Sequence, residues 1–392
     1  MSINFIAMSR SSIGLFFCIA ILWLPLSAQE NLSKLKLIFV GDIMGHSTQI
    51  GSAAIEKDKL YDYTPCFQFV SPILEQYDLA IGNLELTLPG KPPYTGYPTF
   101  RSPDDLALAL RSAGFDLLVT SNNHANDSGL TGVTNTIKTV QGYGFYQTGT
   151  FLDSANRAAL YPMIVYKGNF KLAFLNYTYA TNGIPTTKPA IVNVIDEKVI
   201  KADMDVAKQL KPDAIFVVLH WGDEYQLMEN ERQRQLAQKI LSWGADVIIG
   251  SHPHVVQPIK QYQTVQEDGT TKNGLVVYSL GNFISGQTKT YTDIGLMVEV
   301  GLEKDLLTLQ SHITGHQFMP VYRHIYRNEA GKSQYTTIPV SAFEGGEQPI
   351  LKLSESTRTA MQNAANVIRK NLVRAGSVER KISSEELGTK EK

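Results

Sequence analysis

Five short segments, each closing a predicted buried strand, constrain this chain more than any other feature. They are Gly41-Asp42-Ile43-Met44-Gly45-His46, Gly82-Asn83-Leu84-Glu85, Ser121-Asn122-Asn123-His124, His220-Trp221-Gly222-Asp223-Glu224 and Gly250-Ser251-His252-Pro253-His254. Strands of an open sheet deliver their C-terminal ends to one edge, so side chains remote in sequence converge in one crevice. A cluster of imidazole and carboxylate with a carboxamide suits a pair of divalent transition metals. One such segment alone is more simply loop capping and packing; the set together points to a metal or anion site.

The rest of the pattern fits that edge. From residue 35 to about 325, short apolar runs alternate with amphipathic stretches, the signature of an α/β fold. Residues 35–40 read as the first strand, and 115–120, 171–176, 214–219, 246–249, 275–279 and 294–300 as later ones. Residues 305–312 alternate enough to be a partly exposed strand, and 267–270 read as a hairpin turn. Ser102 followed by Pro103, Asp104 and Asp105 starts a helix that Gly114 stops. Residues 230–243 form another, with Leu236, Ile240 and Trp243 on one face. The Pro- and Gly-rich loop at 89–98 follows Glu85 closely enough to roof the crevice. A C-terminal extension, 345–392, is expected to be partly helical (354–372) and then disordered over its charged tail.

Lys+Arg 36 against Asp+Glu 37 leaves a net charge of -1, so no attraction to nucleic acid is implied. Residues 1–28 read as a signal peptide: Arg10 in the n-region, an apolar run over 13–24, and Leu26-Ser27-Ala28 before the cut. That run falls short of the roughly 18 residues expected of a bilayer span, although an uncleaved anchor is the alternative. The chain is therefore expected to be exported, to the periplasm or cell envelope. Cleavage after Ala28 leaves Cys66 as the lone cysteine, which excludes an internal disulfide and a thiolate metal site.

The segments resemble the calcineurin-like metallophosphoesterase superfamily, whose blocks run Asp-x-His, Gly-Asp, Gly-Asn-His, His and Gly-His-x-His in this order. They most resemble its CapA family of capsule-synthesis proteins, associated with poly-γ-glutamate biosynthesis. The family-like text also takes in Ala125-Asn126-Asp127-Ser128-Gly129, Tyr225, residues 244–255 and Tyr278-Ser279-Leu280-Gly281-Asn282-Phe283, so the likeness covers roughly 36 to 285. It implies a four-layer α/β/β/α sandwich over 35–325, with the site at the strand ends.

Residue by residue, the resemblance implies two metal ions, Mn, Fe or Zn. Asp42 and His254, with His46 as a third ligand, would hold the first; Asn123, His220 and His252 the second; Glu85 would stand where the superfamily has a bridging Asp. His124 would act as general acid or charge clamp, oriented by Asp127. Trp221, Glu224 and Asn282 are the expected substrate-facing residues, although Trp221 and Tyr225 suit a core equally well. Two departures stand out. Asp42 and His46 are four apart, not two, and Glu85 is longer than the aspartate it replaces. The implied activity is a metal-dependent hydrolase, cleaving a phosphoester or an amide bond in a cell-surface polymer or small phosphoester. Its partners would include membrane proteins of a capsule-assembly machinery. The alternative is a non-catalytic assembly component that binds an acidic polymer. His312, His316 and His324 follow no ligand pattern and read as ordinary histidines.

Overall fold

The first strand, Leu32–Ile43, changes character along its length. Its outer third alternates between exposed and buried residues, and the rest is buried without a break. Such a run marks a strand covered on both faces. It pairs in parallel with Leu79–Leu84, placing Asp42 opposite Asn83, and antiparallel with Ile294–Asp305. This computed structural model describes residues 31–56, 59–345 and 351–387. The segment read as a signal peptide and the end of the tail lie outside the described residues.

Two large sheets carry the fold. The nine-stranded sheet is built outward from Leu32–Ile43. On one side lie the parallel strands Leu79–Leu84, Leu117–Val119 and Tyr146–Thr148; on the other, the antiparallel strands Ile294–Asp305, Ser311–Arg327 and Ser333–Pro339. The six-stranded sheet has Phe170–Thr178, Ala214–His220, Val247–Ser251 and Thr271–Val277 in parallel at its centre. Antiparallel strands, Met163–Lys167 and Ile259–Val265, form its edges.

The alternation of side chains along each strand sets the layers. Phe174, Phe216, Val218 and Val247 face the large sheet, where Phe39 meets Phe216 with centroids 5.6 Å apart. Ala173, Ile215, Val217 and Ile248 face the other way, onto Ile200 and Met204 of the helix Glu197–Gln209 and Leu236 and Ile240 of Glu231–Ser242. Met361, Ala365 and Leu372 of Glu355–Arg374 are buried in the core that includes the nine-stranded sheet. The result is an α/β/β/α sandwich with two β-layers back to back.

Two stretches differ from expectation. Residues 305–310 form a hairpin tip instead of a strand, because the Asp305 carboxylate accepts the N–H groups of Leu307 (2.7 Å) and Thr308 (3.0 Å) and turns the chain. The tail expected to be disordered after residue 377 is ordered as far as Leu387. Val378–Glu379 pairs with Ser311–Arg327, Ile382 and Leu387 are buried, and Arg369 bridges Glu344 and Glu379. Charge counting missed this because the charges are paired with one another. Cys66 is buried and free, its thiol pushed up to about 12 by burial.

Two stability predictions follow from this packing. A Cβ at Gly41 would stand 1.8 Å from the Gly281 carbonyl oxygen, where the strand accepts its close neighbour. Gly41→Ala should therefore lose about 1–3 kcal/mol in urea unfolding; an unchanged midpoint would show that the approach can relax. His324 is buried, and burial together with Arg323 lowers its pKa to about 4. Between the unfolded value and about 4 the unfolded chain binds the extra proton, so stability falls as pH drops below 6.5. In His324→Gln, the loss of stability between pH 7.5 and pH 5 should shrink by about 1–2 kcal/mol, measured with chelator present.

Candidate metal centre

The parallel strands of both sheets end at one edge, and there the interior turns polar. Asp42 comes from Leu32–Ile43, Glu85 follows Leu79–Leu84, His220 ends Ala214–His220, and His252 and His254 follow Val247–Ser251. All five are buried, as is Asn123. Donor atoms of Asp42, Glu85 and His220, and again of Glu85, His252 and His254, lie within 4.8 Å of one another, so two ligand sets share Glu85.

The hydrogen bonds orient these groups. Asp42 Oδ1 accepts from Asn83 Nδ2 at 2.8 Å, and its Oδ2 accepts the backbone N–H of His252 at 3.3 Å. His254 Nδ1 lies 3.0 Å from Asn282 Oδ1 and 3.2 Å from Asp42 Oδ2, two acceptors, so Nδ1 carries the proton. Nε2 is then left with its lone pair toward Glu85 Oε1, 3.9 Å away. A ligating histidine with its other nitrogen bonded to a carboxylate or carbonyl is the usual arrangement around a bound metal. His220 Nε2 reaches Asn123 Oδ1 at 2.8 Å and stands 3.5 Å from Glu85 Oε1, while its Nδ1 faces Asn83 Nδ2 at 3.3 Å.

Glu85 is the test of fit. Its side chain is fully buried, yet neither carboxylate oxygen has a hydrogen-bond partner, and buried His252 Nδ1 has none either. Burial, with Asp42 and then Glu224 adding repulsion, pushes the Glu85 carboxyl well above its usual range. Burial drives His220 well below its usual value and His252 down to about 3. Neutral imidazoles around an uncompensated carboxylate form a nest for a cation, since a charge in this setting costs several kcal/mol without a partner. The backbone is strained to make it: His252 and His254 have φ of +97° and +59°, in the region that favours glycine.

Beside the nest, His124 Nδ1 lies 2.7 Å from Asp127 Oδ2, which also accepts the Phe100 N–H at 2.6 Å. Phe100 packs edge-on against the His124 ring. Asn182 Nδ2 is 3.5 Å from one ring nitrogen and 3.4 Å from the other. An in-plane group that close to both would collide with Cε1, so the amide lies over the imidazole face.

Three expected residues take other places. His46 belongs to neither donor set among the described residues. Its Nδ1 accepts the Gly286 N–H at 3.0 Å and its N–H bonds Gln49 Oε1 at 2.8 Å, because the ring stands at the start of the helix Ser47–Ala53. Trp221 is core: it is 3 % exposed, stacks on Tyr278 and donates its indole N–H to the Tyr278 carbonyl at 3.0 Å. Asn282 is buried and fully engaged by His254, Gln287 and the Thr292 carbonyl, so it orients the His254 ring and does not face a substrate. Glu224 is exposed on the segment that follows His220.

Other residues were passed over. Asn83 bonds both Asp42 and His220, and its position two before Glu85, on the same side of an extended chain, was the available signal. Tyr179, directly after Phe170–Thr178, lays its half-exposed ring 4.5 Å from His252. The strand-end rule applied to that strand would have found it. Asn182, in a loop, gave no signal.

Comparison with known proteins agrees with this geometry at the family level. A family model described as "Bacterial capsule synthesis protein PGA_cap" matches residues 36–287. The capsule biosynthesis protein CapA of Bacillus anthracis is 28% identical over 353 residues, covering 86% of this chain and 74% of that protein. The PGA biosynthesis protein CapA of Bacillus subtilis (strain 168) is 30% identical over 286 residues, covering 69% and 68%. Among solved structures, the calcineurin-like phosphoesterase YfkN from Bacillus subtilis aligns over 87% of this chain and 98% of that one, with 14% identity and a TM-score of 0.45. The match over most of its length shows that this chain belongs to the bacterial capsule synthesis protein family PGA_cap.

Proposed function

We propose that this chain is an exported, metal-dependent hydrolase of capsule biosynthesis, cleaving a phosphoester or amide bond in a poly-γ-glutamate-type surface polymer. One observation carries the proposal: the buried Glu85 carboxylate, unpartnered at both oxygens and flanked by His220 and His254. The export part rests on the leader-like sequence at residues 1–28.

Asp42, Glu85, Asn123, His220, His252 and His254 would hold the metal, with Asn83 and Asn282 fixing the ligands from behind. Divalent metal bound there supplies Lewis-acid polarisation of the substrate and lowers the pKa of water. The protein's own contribution is proton management. Asp127 accepts the Nδ1 proton of His124, which fixes the tautomer and leaves Nε2 to exchange a proton with the leaving group. The Phe100 N–H holds Asp127, and the Phe100 ring keeps water from one side of the imidazole. Glu224, Tyr179 and Asn182 line the approach and would meet the polymer; membrane proteins of the assembly machinery would be partners.

Elemental analysis of the purified chain should find two equivalents of Mn, Fe or Zn, falling in Asp42→Ala and His252→Ala. Glu85→Gln should lose metal as well. After chelation it should unfold no more easily than wild type, because it removes a buried carboxyl that has no hydrogen-bond partner and is repelled by Asp42. His124→Ala should keep its metal and lose at least about 100-fold in hydrolysis of phosphodiester or γ-glutamyl substrates. A folded chain that takes up no metal on reconstitution would overturn the hydrolase and leave a polymer-binding assembly component.

A further inference from the structure

Two cations beside the metal nest are without a carboxylate. Elsewhere partly buried cations are matched: Arg157 holds Asp203, Lys272 Asp246, Lys304 Asp213 and Arg380 Glu386. Lys289 and Arg323 pair with no acid among the described residues. The exposed Lys289 instead places its ammonium 3.7 Å from the centroid of the Tyr225 ring, a cation–π contact. Arg323, on Ser311–Arg327, gives one Nη2–H to the Gln287 carbonyl at 2.8 Å, and its buried Nε has no partner. The acids beside them in the chain are engaged. Asp223 accepts from Asn230 Nδ2 at 2.7 Å, Glu224 takes the Tyr225 hydroxyl and Asp293 that of Tyr322.

One short segment ties both cations to the nest. His254 Nδ1 bonds Asn282 Oδ1, and Asn282 Nδ2 donates to Gln287 Oε1 at 2.9 Å. Gln287 Nε2 reaches the Tyr225 hydroxyl at 3.4 Å, while the Gln287 carbonyl holds Arg323. Thr292 fixes the Lys289 carbonyl through its N–H (3.1 Å) and its hydroxyl (2.7 Å). His46, outside both donor sets, clamps the same segment by accepting the Gly286 N–H. The Tyr225 ring lies 6.0 Å from that of His254, so the Lys289 ammonium is at most about 10 Å from the imidazole that faces Glu85.

Cations fixed at that distance call for a second charge on the ligand. A simple phosphate ester carries its charge on the group that is cleaved, which the nest would take. A chain with a carboxylate on every residue offers another within reach, since roughly three residues of extended backbone cover about 10 Å. A guanidinium fork with unspent donors matches a carboxylate edge, and the ammonium adds a point charge. We propose that Lys289 and Arg323 form a carboxylate subsite, floored by Tyr225, that seats a side group of the polymer displaced from the bond over the nest. The subsite rests on the crevice being the polymer's seat, and it operates whether or not the bond is cut.

Fluorescence anisotropy on the full chain tests it, with metal and after chelation. The probe is a labelled oligomer of about ten γ-linked glutamates, beside the same oligomer with its side carboxylates amidated and a labelled glycerol phosphate oligomer. Wild type should bind the acidic peptide at least about tenfold more tightly than the amidated one, and salt should erode the preference. Lys289→Met should weaken the acidic peptide about three- to fivefold, and Lys289→Met with Arg323→Gln at least about tenfold. The ratios should be the same with and without metal. Lys289→Arg should keep the affinity, as should Lys211→Met, an exposed lysine at the opposite edge of the six-stranded sheet. Metal content and thermal midpoint should match wild type in every variant. Wild-type affinity in both Lys289→Met chains, or equal binding of the two peptides, would overturn the subsite and leave the metal centre standing. A loss confined to the glycerol phosphate oligomer would also overturn it, assigning the cations to a phosphodiester. Binding of neither peptide would overturn the subsite and the polymer reading together, whereas Lys289-dependent binding by a chain that takes up no metal would support the subsite and sink the hydrolase alone.

Discussion

Everything at the polar edge of this sandwich is arranged around one buried carboxyl group. Glu85 sits where two β-layers meet, fully buried and with no protein hydrogen-bond partner at either oxygen. Left alone it would be among the most destabilising groups in the molecule, since a buried carboxylate without a partner loses its hydration and gains nothing in return. The surrounding donors stand where they could hold a cation against Glu85. Burial favours the neutral form of His220 and His252, Asp42 is within reach of His254, and backbone strain is accepted at His252 and His254. Without a cation between them, Asp42 and Glu85 repel, which adds to the upward push of burial on the Glu85 carboxyl.

Carboxamides do most of the positioning. Asn83 touches Asp42 from its own sheet and His220 from the other; Asn176 bonds Ser121 across the layers while holding the Val218 carbonyl within its own sheet; Asn282 fixes His254. Each offers a donor and an acceptor without adding charge, so geometry is set while the charge balance around Glu85 is untouched. Charged residues in these places would have left further buried ions to compensate.

The α/β pattern, the order of strands and the convergence of the five segments were legible because burial on both faces writes long apolar runs, and strand ends are where polarity returns. What was illegible turns on local bonding. The spacing of His46 could not reveal that Gly286 and Gln49 claim its polar groups, nor could Trp221 announce that the Tyr278 carbonyl takes its indole N–H. The ordered tail was hidden because its charges read as disorder, whereas Glu379 pairs with Arg369 and Arg380 with Glu386. Composition registers charges; it does not register their partners.

The two ends of Leu32–Ile43 show opposite departures from the usual rule of apolar inside and polar outside. At Asp42 the interior is polar and charged; at Leu32 and the hairpin tip the exterior is apolar. Both inversions carry a free-energy penalty in water, and at the Asp42 end the donors that could hold a cation are already gathered. One rigid strand joins them, paired on both sides along most of its length. That pairing holds the polar crevice and the apolar tip at opposite ends of one strand, so neither can shift without the other.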